Sequence, residues 1–268
     1  MTPQTPTAIT SSSLPSPARP AKTVIVGSHG RMGAMLLDRA RAAGLAVVGV
    51  DRPLAPETLG LACDGVALAL VCVPAAVLRE VTERICQHLP TTAVLADITS
   101  VKEMPLRHME ELWPGPVVGT HPLFGPQPDP QADQPVTIVA GKRAEASHVS
   151  LVSGFFTAIG CRVFAASAKE HDKAMACIQN MNFITSLAYF ALLAGHKELL
   201  PFLTPSFRRR LDAAQKMLTE DAQMFAGLFE ANPHSSEAVR QYRHMLNLAA
   251  AGDIDLLCQR ARWWWDGE

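Results

Sequence analysis

Three short stretches of this sequence carry residues whose types and spacing could do chemistry. The first is Gly119-Thr120-His121-Pro122-Leu123-Phe124-Gly125-Pro126. His121 is the only titratable ring there, and an imidazole with an ordinary pKa near 6.5 suits general-base work. The second is Asp97-Ile98-Thr99-Ser100-Val101-Lys102. Ser100 can orient a substrate hydroxyl or the imidazole, or cap a helix beginning at Val101. Lys102 can attract an anionic substrate, or be a solvated first-turn lysine. The third is Gly27, Gly30 and Gly33, a G-x-x-G-x-x-G run after an apolar stretch. Gly27 allows a tight turn, Gly30 lets the backbone approach a pyrophosphate, and Gly33 permits close packing of helix on strand. The helix start that follows, with Arg31 and Met32, offers free N–H groups to phosphates. Asp51 closes the next apolar run, where a carboxylate grips an adenosine ribose and repels a 2′-phosphate. NAD is therefore expected over NADP, although the adjacent Arg52 leaves NADP open.

These residues need elements to hold them. Apolar, β-branched runs at 22–27, 46–51, 67–73, 93–98, 117–120, 136–140 and 161–164 read as strands, with helical segments between most of them. The first helix is expected over 31–43, ending at Gly44. Continuous apolar strands alternating with helices predict a parallel sheet covered on both faces. That is an α/β, Rossmann-type doubly wound domain over 21–166, with the chemistry-bearing segments at strand ends, on the ligand side. From 167 to 268 no strand run occurs, and helices are expected over 169–194, 204–231, 235–251 and 253–264. The first of these is apolar on nearly every side, as a core or interface helix is. Residues 1–20, rich in Thr, Ser and Pro, read as a disordered tail.

Composition narrows the function. The 268 residues are 48% hydrophobic but only 18% charged, with a net charge of -1, against about 25% charged in an ordinary domain. A near-neutral chain whose basic cluster is Arg208-Arg209-Arg210 does not suit nucleic-acid binding. No uninterrupted apolar stretch reaches the roughly 18 residues of a membrane span. The six cysteines form no CxxC pair. They read as small buried hydrophobes of a cytoplasmic protein, and no spacing suggests a metal. The Trp263-Trp264-Trp265 run reads as packing or an interface.

Taken in order, VGSHGRMG (26–33), DITSVK (97–102), GTHPLFGP (119–126), HDKAMACIQ (171–179) and TPSFRRRL (204–211) resemble the prephenate and arogenate dehydrogenase family over roughly 22–265. The resemblance implies oxidative decarboxylation. His121 would accept the proton of the substrate's ring hydroxyl while hydride leaves for the nicotinamide and carbon dioxide departs. Ser100 would support that hydroxyl and His121. Lys102 would bind substrate, and Arg208 would hold a substrate carboxylate in its planar fork. His171 and Gln179 are further candidates for substrate contact. Relatives dimerise through the helical domain, so a homodimer is expected to bury the excess apolar surface. In a chain of this length the expectation is that no chorismate mutase segment precedes the dehydrogenase and no regulatory ACT domain follows. Two departures stand out. The loop after Gly125, Pro126-Gln127-Pro128-Asp129-Pro130, is unusually proline-rich. Phe183 occupies a position where some relatives carry a further histidine.

The expected substrate is prephenate. The alternatives are the same chemistry on arogenate or on an amino-substituted prephenate. Gln127 and Asp129 are candidates for telling keto from ammonium. A non-catalytic NAD(H) sensor and a dehydrogenase of another two-domain type are the competing classes.

Overall fold

The structure, a computed structural model, describes residues 21–266; the expected disordered tail, 1–20, lies outside the described residues. The chain forms two compact units that divide between Asp172 and Lys173.

The first unit holds a seven-stranded sheet. Its first five strands are β1 (Thr23–Val26), β2 (Val47–Val50), β3 (Leu68–Val71), β4 (Val94–Asp97) and β5 (Val117–Pro122). They are parallel neighbours in the order β2-β1-β3-β4-β5. The crossovers contain helices α1 (Arg31–Ala42), α2 (Pro56–Cys63), α3 (Ala75–Cys86) and α4 (Glu103–Leu112). The strands β1, β3 and β4 are buried throughout, which explains why they read as continuous apolar runs without alternation. Val24 and Val26 join Leu78, Ile85 and Met109 on one face of the sheet. Ile25, between them in sequence, joins Leu36, Ala40 and Phe156 on the other. The strand order changes direction at β1, so a ligand crevice is expected beyond the carboxyl ends of β1 and β3.

The expectation of a wholly parallel sheet needs one correction. Strand β6 (Pro135–Ala140) runs antiparallel to β5. The reason lies in the connection. Residues 123–134 form no helix and include three prolines, and a parallel return needs a crossover, usually helical. Helix α5 (Ala146–Ala158) then leads to β7 (Arg162–Ala165), parallel to β6.

Helix α6 (Ala168–Met175) carries the chain out of the first unit. The second unit is helical: α7 (Met181–Leu192), α8 (Pro205–Thr219), α9 (Ala222–Ala231), α10 (Ser235–Ala250) and α11 (Ile254–Ala261). Two long helices of the sequence reading are interrupted. A π-helical turn, Ala176–Asn180, separates α6 from α7, and Glu220-Asp221 separate α8 from α9. Pro205 opens α8, and the Thr204 hydroxyl accepts the Phe207 N–H at 3.2 Å, the cap expected just before an N1 proline. Helix α7 is less buried than its composition suggested: Phe183 is buried, but Leu192 is 72% exposed. Cys177 and Cys258 also lie exposed, against the expectation of buried thiols; both occupy outward faces of their helices. Among the described residues no helix is long and apolar enough to cross a membrane.

Candidate active site

The glycine-rich turn is built by steric necessity. Gly27 has φ +85°, and a Cβ there would sit 2.4 Å from the Cys72 carbonyl oxygen. A Cβ at Gly33 would sit 2.1 Å from the Gly27 carbonyl oxygen. Backbone cannot yield to such contacts, so only glycine lets α1 start this close to β1. Gly30 caps α1 without a side-chain hydrogen bond. A helix leaves its first N–H groups without intrahelical acceptors, and Arg31 and Met32 lie in that first turn. Beside them is a cleft of about 470 Å³ whose lining includes Gly27, Gly30, Asp51, Arg52, Val73 and Pro74.

Asp51 accepts the N–H of His29 and the N–H of Arg52, both at 2.7 Å. Partial burial pushes its pKa up, but these backbone donors outweigh it and hold the carboxyl below its usual value. The turn and an ionised carboxylate thus face one cleft. A tight glycine cradle, a helix N-terminus and a fixed carboxylate are the parts a dinucleotide needs, and the residues fit that group.

The ends of β4 and β5 hold a buried polar cluster. Lys102 is 0% exposed. Its Nζ donates to Asp97 Oδ2 at 2.6 Å, to the Thr120 carbonyl at 2.7 Å and to Thr99 Oγ1 at 3.3 Å. Thr99 Oγ1 also bonds Asp97 Oδ2, and the Thr120 hydroxyl donates to the Asp97 carbonyl at 2.5 Å. All three protons of the ammonium are used. Lys102 is therefore not the substrate ligand expected from the sequence; it ties β5, one residue before His121, to β4. Gly119 makes room for its stem, since a Cβ there would lie 3.0 Å from Lys102 Cδ. Burial lowers the lysine pKa, and the Asp97 carboxylate opposes that shift.

His121 is 4% exposed. Its Nδ1 lies 2.9 Å from His171 Nε2, and His171 Nδ1 lies 2.8 Å from Asp172 Oδ1. Asp172 also accepts the N–H groups of Lys102 at 2.7 Å and Glu103 at 2.9 Å, at the start of α4. Both expectations for this region change. His171 has neither ring nitrogen left for substrate, so it is not a direct contact. Ser100 does not cap the helix, which begins at Glu103 with the Asp172 carboxylate as its acceptor. Ser100 itself is half-buried in the turn between Thr99 and Val101. His121 has its pKa held well below the ordinary value, chiefly by burial. It is the neutral imidazole that general-base chemistry requires.

The structure thus brings His121, Lys102 and His171 together in the first unit. Arg208 lies in the second, exposed in the first turn of α8. Gln179 lies there too, in the π-helical turn, with a buried Oε1 that has no hydrogen-bond partner. Such turns recur at functional sites. Asp129 is exposed and accepts the Gln131 N–H at 2.9 Å, which occupies one oxygen of a proposed selectivity residue. Sequence reasoning missed Asp97, Thr99 and Asp172. Their signals were present: a carboxylate at a strand end five residues before a lysine, and one adjoining a histidine.

Residues 54–165 match the family model described as prephenate dehydrogenase, nucleotide-binding domain. The chain is 29% identical over 232 residues to the T-protein of Enterobacter agglomerans, covering 85% of this chain and 61% of that one. It is 30% identical over 219 residues to the T-protein of Haemophilus influenzae, covering 77% and 55%. The chain therefore spans somewhat over half the length of these curated relatives. In fold it is similar to the prephenate dehydrogenase of A. aeolicus crystallised with hydroxyphenyl propionate and NAD+. The TM-score is 0.74 at 18% identity, covering 94% of this chain and 96% of that one.

Proposed function

We propose that the chain is a member of the prephenate and arogenate dehydrogenase family and, within it, an NAD-dependent prephenate dehydrogenase of tyrosine biosynthesis. The reaction is oxidative decarboxylation of prephenate to 4-hydroxyphenylpyruvate. The observation that carries this reading is His121, a buried, neutral imidazole at the carboxyl end of β5 in the sheet whose β1 and β2 ends form the nucleotide cleft. NAD, when bound, supplies the hydride acceptor. The turn shaped by Gly27, Gly30 and Gly33, with Arg31 and Met32 at the start of α1, would hold its phosphates, and Asp51 would hold its ribose. His121 accepts the proton of the ring hydroxyl as the carbon–hydrogen bond gives up its electron pair. The bond to the ring carboxylate then breaks toward the ring, carbon dioxide leaves, and the proton returns to the phenolate oxygen. Ser100 steadies the hydroxyl. The assignments of Arg208 to a substrate carboxylate and of Gln179 to substrate rest on the resemblance.

Steady-state rates on prephenate and arogenate, each with NAD and NADP, test the reading. The expected outcome is the highest kcat/KM for prephenate with NAD, and carbon dioxide released in equal amount to NADH. Equal kcat/KM for the two substrates removes the preference for prephenate. NADH without carbon dioxide points to another two-domain dehydrogenase, and NAD binding without turnover to a sensor.

We also propose a homodimer formed through the second unit. Leu187 and Leu192 on α7 are exposed, as are Tyr242 and Leu246 on α10, and exposed apolar patches of this kind mark interaction surfaces. Sedimentation at micromolar concentration is expected to show a dimer; a stable monomer overturns this.

A further inference from the structure

We infer that His171 and Asp172 form a positioning couple that sets which nitrogen of His121 is the base. The donors and acceptors along this chain of bonds fix the tautomers. A carboxylate only accepts, so the 2.8 Å contact from His171 Nδ1 to Asp172 Oδ1 places a proton on that nitrogen. A neutral His171 is then an acceptor at Nε2. The 2.9 Å contact from His121 Nδ1 to His171 Nε2 therefore places the proton of neutral His121 on Nδ1. The lone pair of His121 is left on Nε2. That atom has no hydrogen-bond partner among the described residues. In free imidazole the proton exchanges between the two nitrogens; here the chain of two bonds selects one arrangement.

The couple has a second effect. When His121 takes a proton at Nε2 it becomes an imidazolium whose Nδ1–H points at His171. His171, polarised by the Asp172 carboxylate, is a stronger acceptor for that N–H. The resulting charge is met by a buried carboxylate one residue beyond, where low dielectric strengthens the interaction. The other charged groups of the cluster are Lys102 and Asp97, bonded to each other at 2.6 Å, with the neutral hydroxyls of Thr99 and Thr120 beside them. Asp172 is itself held by the N–H groups of Lys102 and Glu103 at the start of α4, where a helix favours a negative charge. The orientation of the base thus passes from α4 through α6 to β5, all by residues of the first unit. His171 and Asp172 are positioning residues in this scheme, because neither needs to touch the substrate.

This inference rests on His121 being the base, but one of its tests is independent of turnover. Long-range proton–nitrogen NMR of the full chain, with His121 assigned by its absence in His121→Asn, reads the tautomer directly. The expected signature is a protonated Nδ1 and an unprotonated Nε2 on neutral His121. In His171→Leu that preference is expected to disappear. In His171→Gln, whose side-chain oxygen can still accept from Nδ1, it is expected to persist. The kinetic expectation is a fall in kcat of about 30-fold or more for His171→Leu with KM changed less than threefold, and recovery to within tenfold by His171→Gln. Circular dichroism and melting of each variant identify any that fails to fold. If His171→Leu does not fold, the wild-type and His171→Gln tautomers decide the matter. A wild-type His121 protonated on Nε2 overturns the inference, and so does a folded His171→Leu with unchanged tautomer and kcat. A wild-type chain that turns over no cyclohexadienyl substrate, yet shows the expected tautomers, defeats the proposed function and leaves the couple standing.

Discussion

Replacing His121 by asparagine is expected to lower kcat by about two to four orders of magnitude while leaving NAD binding within threefold. General-base groups contribute on this scale, and His121 is the one imidazole whose Nε2 the site leaves unbonded. Its side chain lies in β5, away from the glycine turn that defines the nucleotide cleft, so binding measured by fluorescence or calorimetry is the control. Activity retained within threefold would reject His121 as the base. The pH profile gives a second check. The base works when neutral, and burial depresses its pKa. The acid limb of kcat/KM is therefore expected well below pH 6.5. The same shift acts on stability. Below about pH 6.5 an unfolded histidine binds a proton, whereas folded His121 does not until lower pH. The unfolded state then holds more protons, so stability falls as pH drops from 6.5 toward the folded value, and is unaffected above it. In His121→Asn that part of the acid loss is expected to vanish from urea titrations run across the range.

The second large effect concerns stability. Lys102→Met is expected to cost about 3–5 kcal/mol, the cost of leaving one partner of a buried ion pair behind. Three acceptors lose their donor at once: the Asp97 carboxylate, the Thr120 carbonyl and the Thr99 hydroxyl. Asp97 is worst placed, because its Oδ1 already has no hydrogen-bond partner. Removing both charges in Lys102→Met/Asp97→Leu is expected to recover much of the loss, since an apolar pair of similar volume needs no desolvation. Equilibrium urea unfolding of the four proteins measures this. Were Lys102 a substrate ligand instead, the methionine variant would raise KM with stability changed by less than about 0.5 kcal/mol, as ordinary surface substitutions do.

The linear sequence was most informative where local chemistry leaves little choice. Runs such as Val24-Ile25-Val26 and Leu68-Ala69-Leu70-Val71 are apolar at every position because both faces of their strands are covered. The sheet was therefore legible, as was the glycine turn, where any side chain would collide with backbone. His121 was legible by its type and its place after a strand. The direction of β6 was not, because an apolar strand reads the same in either direction and only its connection and neighbours choose.

The roles of Lys102 and His171 could not be read from the chain, and the reason is burial. A lysine three residues into a polar loop looks solvated, and its charge suggests a ligand. In three dimensions the end of β4, the end of β5 and the space left by Gly119 enclose it. His171 and Asp172 lie 50 residues or more beyond the loop and strand they serve. Hydrogen bonds over such separations depend on how α6 returns to the sheet. Residue type and spacing thus determined the fold class, the glycine turn and the candidate base. Tertiary structure alone decided which charges are buried against each other, because the cost of desolvation depends on the neighbours that enclose a group and not on its place in the sequence.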